Sequence, residues 1–225
     1  MDKKIQDLVN FLDASHSVYH AAAYLANVLE NAGYTCLSEA QDWDLIPGGK
    51  YYLVRGGTAV VAFRIPQSAP TGFMMSASHS DRPAFKVKEN AELCGTYIRL
   101  ATEKYGGMLM STWLDRPLSV AGRLTVDTPS GIKNVLVDID RDLALMPNVA
   151  IHMDRSANEG KSWNPAVDTI CLLGSKASKG KLEQLLQEQA NGQMTGFDQL
   201  SQFFFAGFQT AAFGAFGGRE GLVGG

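Results

Sequence analysis

The hydrophobic pattern changes its period along this chain, and that change restricts the fold more than any other feature of the sequence. Up to residue 33 the apolar residues recur at three- and four-residue intervals, as on amphipathic helices. The pattern predicts a helix over residues 3–12 and a second one that ends at Asn31, before Gly33, and is capped by Ser15 or Ser17. Beyond residue 50, β-branched and aromatic runs predict strands. The chain is therefore expected to have an α/β fold.

The predicted strands begin with a hairpin. Apolar runs at residues 51–55 and 59–65 are separated by Gly56-Gly57, which suits a tight turn. The run over residues 73–78 predicts a further strand, too apolar to be an exposed edge. After Pro83 the pattern is mainly β, which suits a small β-rich domain inserted after that strand; its runs lie at residues 85–87, 97–101, 108–111, 118–126 and 133–137. A last helix is predicted over residues 181–190, before an apolar segment at 203–205.

A histidine and a carboxylate follow the predicted strand at residues 73–78. In extended backbone, side chains two residues apart point to the same side, so His79 and Asp81 can act at one site. A neutral imidazole is a good zinc ligand, and a nearby carboxylate can orient it, raise its basicity or bridge to a second metal. Such a pair is also common in turns and surface contacts, so it indicates a metal site only together with other motifs.

Two other pairs allow a chemical and a structural interpretation. His16 and His20 are four residues apart on the second predicted helix, but no third ligand is near, which favours a surface face over a metal site. Asp115 and Arg116 could form a catalytic pair, although a buried structural ion pair is favoured.

Composition excludes several classes of protein. The chain is 45% hydrophobic and 19% charged, as in ordinary globular proteins. A net charge of −3 without a Lys/Arg cluster gives no basic surface for nucleic acid, and no apolar run of about 18 residues is present to span a membrane. Cys36, Cys94 and Cys171 lie far apart, which predicts buried free thiols and a cytoplasmic location.

Taken in order, many segments of the chain resemble the aspartyl aminopeptidase family, also called the vacuolar aminopeptidase I family, of co-catalytic zinc exopeptidases. The similar segments cover nearly the whole chain: Phe11–Ser15, Ala32–Tyr34, Trp43–Leu45, Pro47–Tyr52, His79–Pro83, Lys86–Lys88, Tyr105–Gly107, Ser111–Arg116, Ile151–Arg155, Asn158–Gly160 and Phe208–Thr210.

The resemblance implies a zinc aminopeptidase that removes N-terminal, typically acidic, residues from peptides. It implies that His79 is a zinc ligand and that Asp81 is a catalytic residue that orients it beside a pair of zinc ions. It also implies that His152 binds substrate in a neighbouring subunit's active site. Family members assemble as homo-oligomers, from dimers to dodecamers.

The resemblance further implies an incomplete zinc-exopeptidase α/β sandwich with a β-rich dimerisation insert. Residues 1–90 would belong to the catalytic domain, 91–205 to the insert, and 206–225 to the start of the return to the catalytic domain. The family's further ligands include a Glu-Glu pair, which this chain lacks, and after His79 the chain has only His152. A catalytic zinc needs about three protein ligands, so we expect a truncated form in which zinc is not fully bound.

An alternative is a catalytically inactive oligomerisation module. In either case, self-association is expected through the insert or through the apolar sheet edge where Val60, Phe63 and Met75 would pack.

Overall fold

The computed structural model describes residues 2–128, 131–190 and 202–207. Its contacts divide the chain into two compact units between Arg82 and Pro83. Each unit contains its own β-sheet. The assignment of parts of the chain to a catalytic domain and a dimerisation insert stays a prediction, and of the third predicted part, residues 206–225, only 206 and 207 lie among the described residues.

The first unit begins with two helices, α1 (Lys3–Ala14) and α2 (Val18–Asn31), as the sequence predicts. Of the two candidate caps for α2, Ser17 is the one observed, and its Oγ accepts a hydrogen bond from the His20 N–H. Gly33 follows the helix at φ 79°, a left-handed conformation that glycine adopts without strain. Local capping chemistry therefore fixes both ends of α2.

A three-stranded sheet completes the first unit. It consists of β1 (Thr35–Cys36), β2 (Lys50–Arg55) and β3 (Ala59–Arg64) in spatial order β1-β2-β3. The predicted hairpin is confirmed, with Arg55 opposite Ala59 across the turn. Tyr51, Tyr52 and Leu53 of β2 are buried, so the central strand supplies much of this unit's core.

The predicted strand at residues 73–78 is wrong. This segment has no regular secondary structure, and Phe73, Met74 and Met75 are almost fully exposed. Within the described part of the chain, β3 pairs only with β2 and no strand pairs with residues 73–78. An apolar run becomes a strand only where a neighbouring strand satisfies its backbone groups.

The second unit is built on a six-stranded sheet of order β7-β6-β9-β4-β5-β8. Its strands are β4 (Ala84–Leu93), β5 (Tyr97–Tyr105), β6 (Leu118–Thr128), β7 (Gly131–Asp138), β8 (Cys171–Ser175) and β9 (Gln202–Gly207). The described α-helices of this unit are α3 (Pro165–Asp168) and α4 (Lys181–Gln189). All neighbouring strands of this sheet run antiparallel.

The predicted strand at residues 108–111 is also wrong. A short 3-10 helix, Met110–Trp113, occupies this position. Thr112 bends the backbone because its N–H and its Oγ1 both donate to the carbonyl oxygen of Leu109, at 3.3 and 2.7 Å. The turn buries Trp113 edge-on against Phe85, with ring centroids 5.2 Å apart.

The three cysteines differ in exposure. Cys171 is buried, and burial raises the pKa of its thiol. Cys36 and Cys94 are exposed, so the prediction of buried thiols is wrong for these two. Cys36 lies on the short edge strand β1, and Cys94 lies in the connection between β4 and β5. Over the residues that the structure describes, no helix has the length and apolar character needed to cross a membrane.

Candidate active site

His79 and Asp81 form a hydrogen-bonded pair in the first unit. His79 Nδ1 lies 2.8 Å from Asp81 Oδ1. A carboxylate only accepts hydrogen bonds, so Nδ1 carries the proton, and in the neutral ring the lone pair lies on Nε2. The imidazole is 92% exposed, which leaves Nε2 open to a ligand. The structure thus brings together the two residues that the sequence places at one site, with the tautomer that metal-binding histidines use.

The loop that carries this pair is attached to the hairpin through Ser80. Ser80 Oγ donates to the carbonyl oxygen of Thr58 at 3.1 Å. Thr58 ends the hairpin turn, which Gly56 and Gly57 form at φ 62° and 76°. Ser80 lies between His79 and Asp81 in the sequence, so its hydrogen bond restrains the backbone that carries both side chains. Sequence reasoning missed this role, although a hydroxyl between two site residues is a usable signal for it.

Arg82 places a positive charge next to the pair. It is half-buried, and burial lowers the pKa of its guanidinium. Arginine nevertheless keeps its charge in proteins. Within the described part of the chain it makes neither a hydrogen bond nor an ion pair, so its charge is available to an anionic group.

His152, the predicted substrate-binding residue, lies in the second unit. It occupies an exposed turn closed by a 2.8 Å hydrogen bond from the Met153 N–H to the Ala150 carbonyl oxygen. Ile151 and Met153 on either side of it are exposed apolar residues. The structure places this histidine in a different unit from His79 and Asp81.

The contacts of the two other candidate pairs, Asp115 with Arg116 and His16 with His20, are structural. Asp115 is exposed, and its Oδ1 accepts a hydrogen bond from the Asn148 N–H at 2.9 Å, so a buried ion pair at this position is wrong. Its backbone requires a left-handed turn, with φ 56°, which exposes the carboxylate. In α2, the Nδ1 of His20 lies 2.8 Å from the capping Ser17 Oγ. These contacts stabilise a turn and a helix end.

The described donors do not complete a zinc site. A catalytic zinc takes about three protein ligands. Among the residues with described positions, no three His, Cys, Asp or Glu side chains come together to hold an ion. His79 with Asp81 supplies one imidazole ligand and the carboxylate that orients it. The pair fits part of a zinc site and not the whole of one.

Comparison with known proteins identifies the family. A family model described as aminopeptidase I zinc metalloprotease (M18) matches residues 11–201. The chain belongs to the M18 aminopeptidase family. A probable M18 family aminopeptidase 2 from Pseudomonas putida is 38% identical over 187 residues, which are 81% of this chain and 44% of the relative. The chain therefore spans less than half the length of this M18 relative.

Solved structures of M18 proteins share the fold. A cryo-EM structure of the Ape4 and Nbr1 complex matches with a TM-score of 0.78 and 31% identity, over 89% of this chain and 43% of that one. The S. cerevisiae mApe1 dodecamer matches with a TM-score of 0.71 and 24% identity, over 90% of this chain and 48% of that one. Both matches confirm the predicted α/β fold.

Proposed function

We propose that this chain is part of a zinc-dependent aminopeptidase that removes acidic N-terminal residues from peptides. The observation that carries the proposal is the 2.8 Å contact between His79 Nδ1 and Asp81 Oδ1, in a segment that the M18 family model covers. This contact holds the imidazole with Nε2 free, ready to ligate a metal.

Each residue of the loop has a distinct part in this proposal. Asp81 fixes the tautomer and orientation of His79, and Ser80 attaches the loop to the hairpin turn. The unneutralised charge of Arg82 supports a preference for substrates whose first side chain is a carboxylate. A zinc ion held by His79 together with further ligands would supply Lewis-acid chemistry and activate water. Such a site would need further ligands beside His79 and Asp81, because no three candidate ligands come together among the residues with described positions.

The test is a chimera in which residues 11–201 of this chain replace the matching part of the Pseudomonas putida relative. The chimera is assayed with aspartyl-, glutamyl- and leucyl-4-nitroanilide in the presence of zinc, beside the unmodified relative. We expect cleavage of the acidic substrates in preference to the leucyl one, and no turnover by the 225-residue chain alone. A folded chimera that prefers the leucyl substrate would contradict the acidic preference.

His79→Ala in the same chimera tests the ligand assignment. We expect turnover to fall by at least about a thousandfold, since removing a ligand removes the ion that activates water. The matched control is His16→Ala, a histidine outside the loop. Circular dichroism checks that both variants fold, and unchanged turnover in His79→Ala would contradict the assignment.

An assembly function is the second candidate. Ile151 and Met153 expose apolar side chains on both sides of His152, and exposed apolar residues that lie together mark protein interaction surfaces. The related yeast protein is a dodecamer. We propose that this turn contacts a neighbouring subunit, and that His152 contacts the substrate bound there.

Sedimentation of the 225-residue chain tests the assembly. We expect an oligomer that the double variant Ile151→Ser, Met153→Ser converts to monomer. Ile132→Ser is the matched control, because Ile132 is an exposed apolar residue of β7 in the same unit. A wild-type monomer at tens of micromolar would contradict the assembly, whereas the chimera assay tests the peptidase proposal independently.

We also propose that the protein is located in the cytoplasm. The chain has three free cysteines, two of them exposed, and free exposed thiols persist best in a reducing compartment.

A further inference from the structure

A cavity of about 420 Å³ lies in the second unit, and the residues that line it include none of the candidate site residues His79, Asp81 and His152. It is bounded by the start of β5, by residues 147–149 and by residues 161–172. Ligand sites in proteins are typically clefts of roughly 300–1,000 Å³ with mostly apolar walls and a few polar groups. The walls here include Tyr97, Trp163 and Leu172, with Arg99 and Lys161 as the cationic groups.

The wall formed by residues 163–172 is held in place by internal hydrogen bonds. Thr102 Oγ1, on β5, donates to the carbonyl oxygen of the fully buried Thr169 at 2.8 Å. The Asn164 N–H donates to Asp168 Oδ2 at 2.7 Å, and Leu172 exchanges two backbone hydrogen bonds with Leu145. A wall fixed in this way needs little reordering when a ligand enters.

Arg99 provides the available charge at this cavity. The pairing of β5 with β8 shifts register between Ile98 and Arg99, and bulges of this kind redirect side chains. Over the residues that the structure describes, the Arg99 guanidinium makes neither a hydrogen bond nor an ion pair. A planar guanidinium without a partner matches the two oxygens of a carboxylate.

The other charged groups of the cavity already have partners. Lys161 Nζ lies 4.7 Å from the centre of the Trp163 ring and 3.7 Å from Asp154 Oδ2. Asp168 accepts the hydrogen bond from Asn164. Among the charged residues that line the cavity, Arg99 is therefore the one whose side chain is without a described partner, beside the aromatic side chains of Tyr97 and Trp163.

We propose that this cavity binds a small carboxylate with an aromatic body. The carboxylate pairs with the Arg99 guanidinium, and the ring of the ligand packs against Tyr97 and Trp163. Neither the peptidase proposal nor the assembly proposal assigns a role to these residues.

The test uses indole-3-acetate and the 225-residue chain, followed by ¹H–¹⁵N NMR and by calorimetry. We expect saturable shifts at the amides of residues 97–99 and 163–172. Tryptamine has the same ring with an amine in place of the carboxylate and should bind at least about tenfold more weakly, a difference of about 1.4 kcal/mol. Arg99→Gln should weaken indole-3-acetate binding by a similar factor. Lys104→Gln, which removes a cation from the same strand outside the cavity, should leave binding unchanged.

Four outcomes would overturn the proposal. Three concern binding: equal binding of tryptamine and indole-3-acetate, unchanged binding in Arg99→Gln with an intact fold, and the absence of shifts at the cavity. The fourth is a dimer that Arg99→Gln dissociates and indole-3-acetate leaves intact, because the cavity would then be an interface between copies of the chain. Arg99→Lys provides a check on folding, since it keeps the charge and should retain part of the affinity.

Discussion

Ser80 and Thr58 are 22 residues apart in the sequence and are joined by a 3.1 Å hydrogen bond from Ser80 Oγ to the Thr58 carbonyl oxygen. This bond attaches the loop of His79 and Asp81 to the hairpin turn between β2 and β3. The preceding segment, residues 73–78, has no regular secondary structure. The orientation of the candidate zinc ligand therefore depends on a side chain that is itself not a ligand.

Removing the Ser80 hydroxyl should loosen the loop. In Ser80→Ala we expect faster hydrogen exchange at the amides of residues 77–82 and a change in the ¹⁵N shifts of the His79 ring, because the contact with Asp81 is made less often. The loss of one hydrogen bond costs about 0.5–1.5 kcal/mol, so the fold should persist. Ser80→Thr keeps the hydroxyl and should restore the wild-type ring shifts. Identical His79 shifts in wild type and Ser80→Ala would contradict the anchoring role.

Tyr52 should make the first unit less stable at high pH. Its hydroxyl donates to Glu30 Oε1 at 2.5 Å, and this hydrogen bond, followed by burial, raises the pKa of Tyr52 above its ordinary value of about 10. Below pH 10 the tyrosine is neutral in both the folded and the unfolded chain. Above pH 10 the unfolded chain loses the proton while the folded chain keeps it, so the free energy of unfolding falls.

Tyr52→Phe isolates this effect. At neutral pH the variant should lose about 1 kcal/mol with the hydrogen bond. Above pH 10 the difference from wild type should shrink, by at most about 1.4 kcal/mol per pH unit, because the unfolded chain releases one proton that the folded chain keeps. Urea unfolding at several pH values measures both quantities. A difference that stays constant from pH 7 to 11 would argue against the raised pKa.

Arg82 should contribute to substrate preference. In the chimera, Arg82→Gln removes the positive charge beside His79 and Asp81, and we expect the ratio of kcat/KM for aspartyl over leucyl substrate to fall by about tenfold, equivalent to about 1.4 kcal/mol. Leucyl turnover should change little. Arg55→Gln is the control, because Arg55 is already paired with Glu39. A ratio that does not move in Arg82→Gln would exclude this arginine from substrate discrimination.

The elements that the sequence predicts well are those determined by local signals. The ends of α2 follow from Ser17 and Gly33, and the hairpin follows from Gly56-Gly57 between two β-branched runs. The contact of His79 with Asp81 joins side chains two residues apart, although the backbone between them bends at Ser80 and does not form a strand. In each case the interaction joins residues that are close in the sequence.

The errors concern features that depend on distant partners. The 3-10 turn at residues 110–113 is an exception, because the hydrogen bonds from Thr112 to the Leu109 carbonyl oxygen that form it are local. Residues 73–78 are apolar enough for a strand, but no described strand pairs with them. The Ser80 anchor and the cavity beside Arg99 were missed for the same reason. Both join segments far apart in the sequence, and hydrophobic periodicity carries no information about which distant segments meet.

The most direct test of the central claim is a zinc titration of the 225-residue chain, followed through the ring nitrogens of its four histidines by NMR. If His79 is a zinc ligand oriented by Asp81, its Nε2 signal should shift at lower zinc concentration than those of His16, His20 and His152, and Asp81→Asn should move that response to higher zinc. A response that begins at His16 and His20 while His79 stays unchanged would contradict the assignment.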